Sequence, residues 1–105
     1  MTNRVVYPGT FDPITNGHVA VVVRAGGMFD RLVIGVFDTP SKSLLFSTQE
    51  RLALGQQSTR HLPNVEARAF AALTVEFARE VGAIAMIRGL RSTSDFDNEF
   101  AMNMM

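Results

Sequence analysis

The feature that most constrains this chain is its punctuation. Short apolar runs recur along it, each bounded by glycine, proline or a polar turn. Arg4 to Tyr7 stops at Pro8-Gly9, and Leu32 to Phe37 stops at a loop carrying Pro40. Val65 to Phe70 alternates after the Pro63-Asn64 break, and Ala83 to Ile87 ends at Arg88-Gly89. Runs of this length, bounded in this way, read as strands. Helical spacing fills the intervals. Val19, Val22, Val23 and Ala25 share a helix face between His18 and Phe29, although Val21-Val22-Val23 also suits a strand; Gly26-Gly27 weakens the end. Ser47-Thr48-Gln49-Glu50 has the spacing of a capping box, a hydroxyl followed three residues later by a carboxylate. It predicts a helix through Arg60 with Arg51, Gln56 and Arg60 facing water. A third helix covers Thr74 to Val81 with Gly82 as its C-terminal stop. Ser94 and Asp97 are expected to open a fourth, still running at Met105.

Strand and helix thus alternate four times over 105 residues with no linker. Strands without a polar face need cover on both sides, so the expected class is α/β: one domain, residues 1–105, with a parallel sheet flanked by helices. The fourth helix has no stop signal, and a sheet of this kind usually continues. The chain is therefore expected to be the N-terminal portion of such a domain, incomplete at its C-terminus.

Charge narrows the function. Ten basic side chains balance ten acidic ones, so nothing provides a bulk electrostatic grip on nucleic acid. There is no cysteine for a disulfide, thiolate site or thiol nucleophile. No apolar run approaches the roughly 18 residues of a membrane span. The first apolar run is too short for a secretory signal, which makes the cytoplasm the expected location.

On a neutral chain, local clustering carries the information. In an open parallel sheet, ligands bind beyond the carboxyl ends of the strands. Thr10 and His18 follow the first strand, Lys42 (the only lysine) the second, and Arg88 and Arg91 the fourth. Such an edge suits a small anion. Asn16-Gly17-His18 adds oriented donors: Gly17 lets a ligand approach backbone at a helix start, and His18 brings a ring N–H. A phosphate held there would sit among donors able to stabilise phosphoryl or nucleotidyl transfer. Each residue alone has a plainer reading. His18 caps a helix, Lys42 is a solvated loop lysine, Arg88 and Arg91 pair with nearby aspartates, Asp12 is a turn residue, and Glu99 faces solvent. Only the combination favours a site. Neither G-x-x-x-x-G-K nor G-x-G-x-x-G is present, no metal-ligand spacing is visible, and His61 falls at a helix end.

Tyr7-Pro8-Gly9-Thr10-Phe11-Asp12-Pro13-Ile14-Thr15-Asn16-Gly17-His18 closely resembles the opening of the bacterial phosphopantetheine adenylyltransferases. Pro40-Ser41-Lys42, the stretch Phe46 to Arg51, and Ile87-Arg88-Gly89-Leu90-Arg91 with Asp95-Phe96 are similar to later signatures of that family. The likeness runs in register over nearly the whole chain. Asn-Gly-His alone would indicate only the wider nucleotidylyltransferase superfamily.

The resemblance implies a Rossmann-like fold and a reaction of coenzyme A biosynthesis: ATP plus 4′-phosphopantetheine gives dephospho-coenzyme A and pyrophosphate by direct in-line attack. It implies Mg²⁺ carried on the ATP phosphates and a cytoplasmic homohexamer. By position, Thr10 and Lys42 would orient the attacking phosphate and His18 would hold the α-phosphate. Arg88 would bind the phosphopantetheine phosphate. Phe11, Gly89, Leu90, Arg91 and Glu99 would line the ATP site, with Arg91 near the phosphates, and Thr74 would meet the pantetheine arm through main chain. Thr10, His18, Lys42 and Arg91 form the expected catalytic set. Asp97-Asn98-Glu99 departs from the family's more usual Glu-Tyr-Glu, and the family's later Ile-Ser-Ser segment has no counterpart in these residues. The competing expectations are a nucleotidylyltransferase with another acceptor, or an inactive fragment that binds phosphopantetheine or associates with other subunits.

Overall fold

The computed structural model describes residues 3–38 and 44–88 in full, and residues 101–104 as backbone. Its elements in chain order are β1 (Arg4–Gly9), α1 (Asn16–Gly26), β2 (Arg31–Phe37), α2 (Thr48–Thr59), β3 (Val65–Phe70), α3 (Thr74–Val81), β4 (Ala85–Arg88) and β5 (Ala101–Met104). They form one five-stranded sheet in the order β3-β2-β1-β4-β5. β1, β2, β3 and β4 run parallel, with Val6 opposite both Val33 and Met86. The architecture is α/β, as the alternation of elements predicts, and Rossmann-like, as the resemblance implies.

Period-two alternation divides the strand side chains between two cores. Val5, Tyr7, Leu32, Ile34, Val36, Ala67, Ala85 and Ile87 face one side and pack against Val21, Val22 and Ala25 of α1 and Leu52 of α2. Val6 and Val33 face the other side with Phe70, where Phe77, Ala78 and Val81 of α3 cover them. Gly35 opens the space for this second core. A Cβ there would lie 2.7 Å from the Phe77 ring and 3.1 Å from the Phe70 ring. Without it those rings stack with centroids 4.5 Å apart and planes 11° from parallel.

The chain builds β1, β2 and β3 outward in one direction. α3 then carries it back across the opposite face to β4, on the far side of β1. The strand order therefore reverses between β1 and β4. In open α/β sheets such a reversal leaves a crevice at the carboxyl ends of the two strands.

Local signals account for the helix limits. Gly27 caps α1 and receives no left-handed turn. Gly82 stops α3 at φ +74°, a conformation that suits a residue without Cβ. Two sequence-based expectations fail. Arg51 does not face water; it is fully buried. Nor does a helix run to Met105, because residues 101–104 form β5, antiparallel to β4 with Ala85 opposite Met104 and Arg88 opposite Ala101. The free edge of β4 offers a row of unpaired backbone groups, and pairing along that edge overrides the helical pattern of a short apolar tail. The expected start of a fourth helix at Ser94 and Asp97 lies outside the described residues, which contain three helices.

Candidate functional site

The carboxyl end of β1 turns sharply before α1. Phe11 adopts φ +49°, the left-handed region that non-glycine residues seldom occupy. Its ring folds back so closely over Gly9 that a Cβ on residue 9 would meet it at 3.1 Å. There it is buried, edge-on to Tyr7 at 5.2 Å and to His18 at 4.9 Å. Phe11 thus props the histidine ring from below, while Thr10 stands exposed beside it.

His18 is the third residue of α1 and takes part in its cap. Thr15 accepts from the His18 backbone N–H at 3.3 Å, and the Thr15 N–H donates to His18 Nδ1 at 2.9 Å. This is a capping box with imidazole where a carboxylate more often serves. Nδ1 is an acceptor, so the proton of the neutral ring is on Nε2. Gly17 lies one residue before it, where a Cβ would meet nothing closer than Thr15 Oγ1 at 3.6 Å. Internal packing therefore does not require glycine at that position.

A second set of contacts fixes the segment leading into α2. The Asp12 carboxylate accepts from the N–H groups of Leu45 and Phe46 at 2.6 and 2.8 Å. Asp12 is thus a turn residue that ties the exit of β1 to the start of α2. Ser47 and Glu50 form the predicted capping box, with bonds of 2.9 and 3.1 Å. The Thr48 hydroxyl donates to Asp38 Oδ1 at 2.8 Å. Sequence reasoning missed the next member, Arg51. Its guanidinium donates to the carbonyls of Thr10 at 2.7 Å, Phe37 at 2.9 Å and Phe46 at 3.2 Å, and to Thr48 Oγ1 at 2.9 Å. No apolar stripe marks α2; its buried positions are Arg51, Gly55 and Thr59, four residues apart. That spacing was the available signal, but the residue types concealed it.

The expected site residues divide accordingly. Thr10, Phe11 and His18 form one contiguous unit at the exit of β1. Arg88 ends β4, the strand across the point of reversal, and is exposed. Thr74 begins α3, beyond the exit of β3 and two strands away from β1. Lys42, Gly89, Leu90, Arg91 and Glu99 lie outside the described residues. His61 is exposed and remote from the unit, at the end of α2.

The unit thus offers a ring N–H, a hydroxyl and the first turn of a helix beside a cationic strand end. Among the described residues, no three His, Asp or Glu side chains gather to hold a metal ion, and no helix is long and apolar enough to cross a membrane. Among the described residues, the one carboxyl group shifted from its ordinary pKa, Glu66, belongs to the opposite end of the sheet. Burial would raise it, but hydrogen bonds from Arg31 and Arg68, and their charges, hold it below the ordinary value.

Comparison with known proteins agrees with this geometry. Residues 6–105 match the family model described as cytidylyltransferase-like. Phosphopantetheine adenylyltransferase of Roseiflexus sp. (strain RS-1) is 52% identical over 97 residues, covering 92% of this chain and 61% of the relative. The enzyme of that name from Thermomicrobium roseum is 52% identical, covering 100% of this chain and 65% of its own. That from Chloroflexus aurantiacus is 57% identical, with 92% and 60% covered. The chain therefore spans about three fifths of the length of these curated relatives. Among solved structures, a lipopolysaccharide core biosynthesis protein from Thermoplasma volcanium superposes with a TM-score of 0.71 at 22% identity, covering 89% of this chain and 79% of that one. A bifunctional NMN adenylyltransferase/ADP ribose pyrophosphatase from Francisella tularensis, complexed with AMP and a manganese ion, gives 0.57 at 20% identity, with 75% and 25% covered. At such identities these structures speak for the fold.

Proposed function

The chain belongs to the cytidylyltransferase-like family, and on that premise we propose that it serves in transfer of the adenylyl group of ATP to 4′-phosphopantetheine. The products are dephospho-coenzyme A and pyrophosphate. The observation that carries this reading is the Thr10–Phe11–His18 unit at the reversal of strand order, in a chain 52% identical to enzymes of that name.

An oxygen of the pantetheine phosphate attacks the α-phosphorus of ATP. The new P–O bond forms as the bond to the bridging oxygen breaks, and pyrophosphate leaves with the electron pair. The attacking group is already anionic and the leaving group is good, so the protein's task is positioning and charge stabilisation. His18 donates from Nε2 to the α-phosphate, where charge builds. Thr10 and Lys42 orient the attacking phosphate. Arg88 neutralises it from β4, while Gly89, Leu90, Arg91 and Glu99 complete the ATP site with Phe11. Gly17 leaves room for a phosphate against the first turn of α1. Thr74 meets the pantetheine arm. Mg²⁺ enters as an ion riding on the ATP phosphates. Among the described residues no cluster of His, Asp or Glu fits a resident metal. A cytoplasmic homo-oligomer belongs to the same proposal.

The test is pyrophosphate release from ATP with phosphopantetheine, nicotinamide mononucleotide or glycerol phosphate as acceptor. Turnover is expected with phosphopantetheine alone, and His18→Ala should lower it by about two orders of magnitude or more. Turnover confined to another acceptor, or an unimpaired His18→Ala, overturns the assignment. Calorimetric binding of phosphopantetheine without pyrophosphate release identifies a binding fragment instead.

A further inference from the structure

We propose that Arg51 is a positioning residue for this phosphate site, a role that rests on the adenylyltransferase reading above. Its burial is complete, and among the described residues it forms no ion pair with a carboxylate. Burying a guanidinium is costly unless its donors are satisfied. Here they are met by three backbone carbonyls and a hydroxyl, and the Asp38 carboxylate is linked in through that hydroxyl of Thr48. The choice of carbonyls is informative. Phe37 O ends β2, Phe46 O precedes the cap of α2, and Thr10 O belongs to the peptide just before left-handed Phe11. NH1 bridges the Thr10 carbonyl, just past β1, and the Phe37 carbonyl, at the end of the adjacent parallel strand β2. It thereby fixes the separation of the two exits.

The consequence reaches the chemistry through Phe11. A left-handed φ at a bulky residue persists only where its surroundings over-determine it. Arg51 holds the peptide on one side of that residue, and Asp12 anchors the other through Leu45 and Phe46. The turn so held places the Phe11 ring against His18 at 4.9 Å and leaves Thr10 exposed beside it. Arg51 acts through these residues and touches no substrate. Lysine cannot substitute, because a single ammonium lacks the planar fork that reaches three carbonyls through NH1 and Nε and the Thr48 hydroxyl through NH2.

The experiment compares the full chain with Arg51→Lys and Arg51→Met at a temperature where melting curves show each folded. In both variants kcat should fall by about a hundredfold while KM for ATP stays within about threefold, since misplacing a donor by an ångström costs on that order. In NMR spectra of the free proteins the His18 ring signals should move. The strong intraresidue amide-to-Hα NOE that a φ of +49° gives Phe11 should weaken. If Arg51→Met does not fold, Arg51→Lys decides by the same criteria. Wild-type kcat, His18 signals and Phe11 NOE in Arg51→Lys overturn the proposal, even if its melting temperature drops. If the parent chain shows no adenylyl transfer with any acceptor, the enzymatic reading has failed for this chain. The NMR measurements then decide the role of Arg51 alone: unchanged His18 and Phe11 signals refute it, and altered ones support it.

Discussion

The helices α2 and α3 both lie on the sheet, but they are held there by opposite means. α3 buries Phe77, Ala78 and Val81, an apolar stripe that closes the second core. α2 buries Arg51, Gly55 and Thr59 along one line, with Leu52 only partly covered. Its hydrogen-bonded attachment is the Arg51 fork at one end, while the buried Thr59 hydroxyl is satisfied within the helix by Gly55 O at 2.8 Å. No buried side-chain nitrogen or oxygen among the described residues lacks a partner. An apolar stripe supplies non-directional stabilisation and tolerates small shifts, whereas a fork of hydrogen bonds fixes a position. α3 therefore closes the molecule, and α2 sets the distance between two strand exits.

The largest expected effect strikes the apolar side of this contrast. Phe77→Ala empties the slot beside Gly35 and Phe70, and should cost about 3–5 kcal/mol in denaturant unfolding. A loss below about 1 kcal/mol would show that α3 is not held by its stripe. A smaller effect of opposite sign sharpens the picture of α2. At Gly55 an added Cβ meets only the Ala67 Cβ at 3.7 Å, an ordinary contact. Gly55→Ala should thus stabilise by roughly 0.5–1 kcal/mol through helix propensity. Destabilisation would mean that α2 sits closer to β3 than this spacing.

The smallest effect is set by pH and lies on the edge strand β3, away from both helices' anchors. Glu66 accepts from Arg31 at 3.1 Å and from Arg68 at 3.1 Å, and its folded pKa is lowered. A carboxylate of this kind adds stability above its unfolded pKa, near 4.5, and that contribution disappears as pH falls through the lower folded value. The groups are partly exposed, so Glu66→Gln should cost less than about 1 kcal/mol at pH 7 and nothing measurable well below the folded pKa. An equal loss at both pH values would place the effect in packing rather than charge.

How far the sequence reveals the fold follows the same contrast. β1, β2, β3 and α3 were legible because apolar period and glycine or proline breaks report burial directly, and Ser47 with Glu50 announced the start of α2. Arg51 was misread because an arginine on a surface helix ordinarily faces water, and its acceptors are carbonyls 5, 14 and 41 residues away. The tail was misread because the edge of β4 decides its conformation, and no local pattern records that edge. At the site, the grouping of Thr10, Gly17 and His18 at the exit of the first strand was legible. The support beneath them was not, since the positive φ of Phe11 and its edge-on contact with His18 follow from tertiary contacts.

The close seating of two rings over Gly35 has a consequence for how this domain can vary. The Phe70–Phe77 ring pair occupies the volume that a methyl on residue 35 would claim, at 2.7 Å from Phe77. Positions 35 and 77 are thus a single choice made jointly. Homologous sequences carrying alanine or serine at 35 should carry a trimmed aliphatic residue at 77, and each change made without the other should be rarer than the pair.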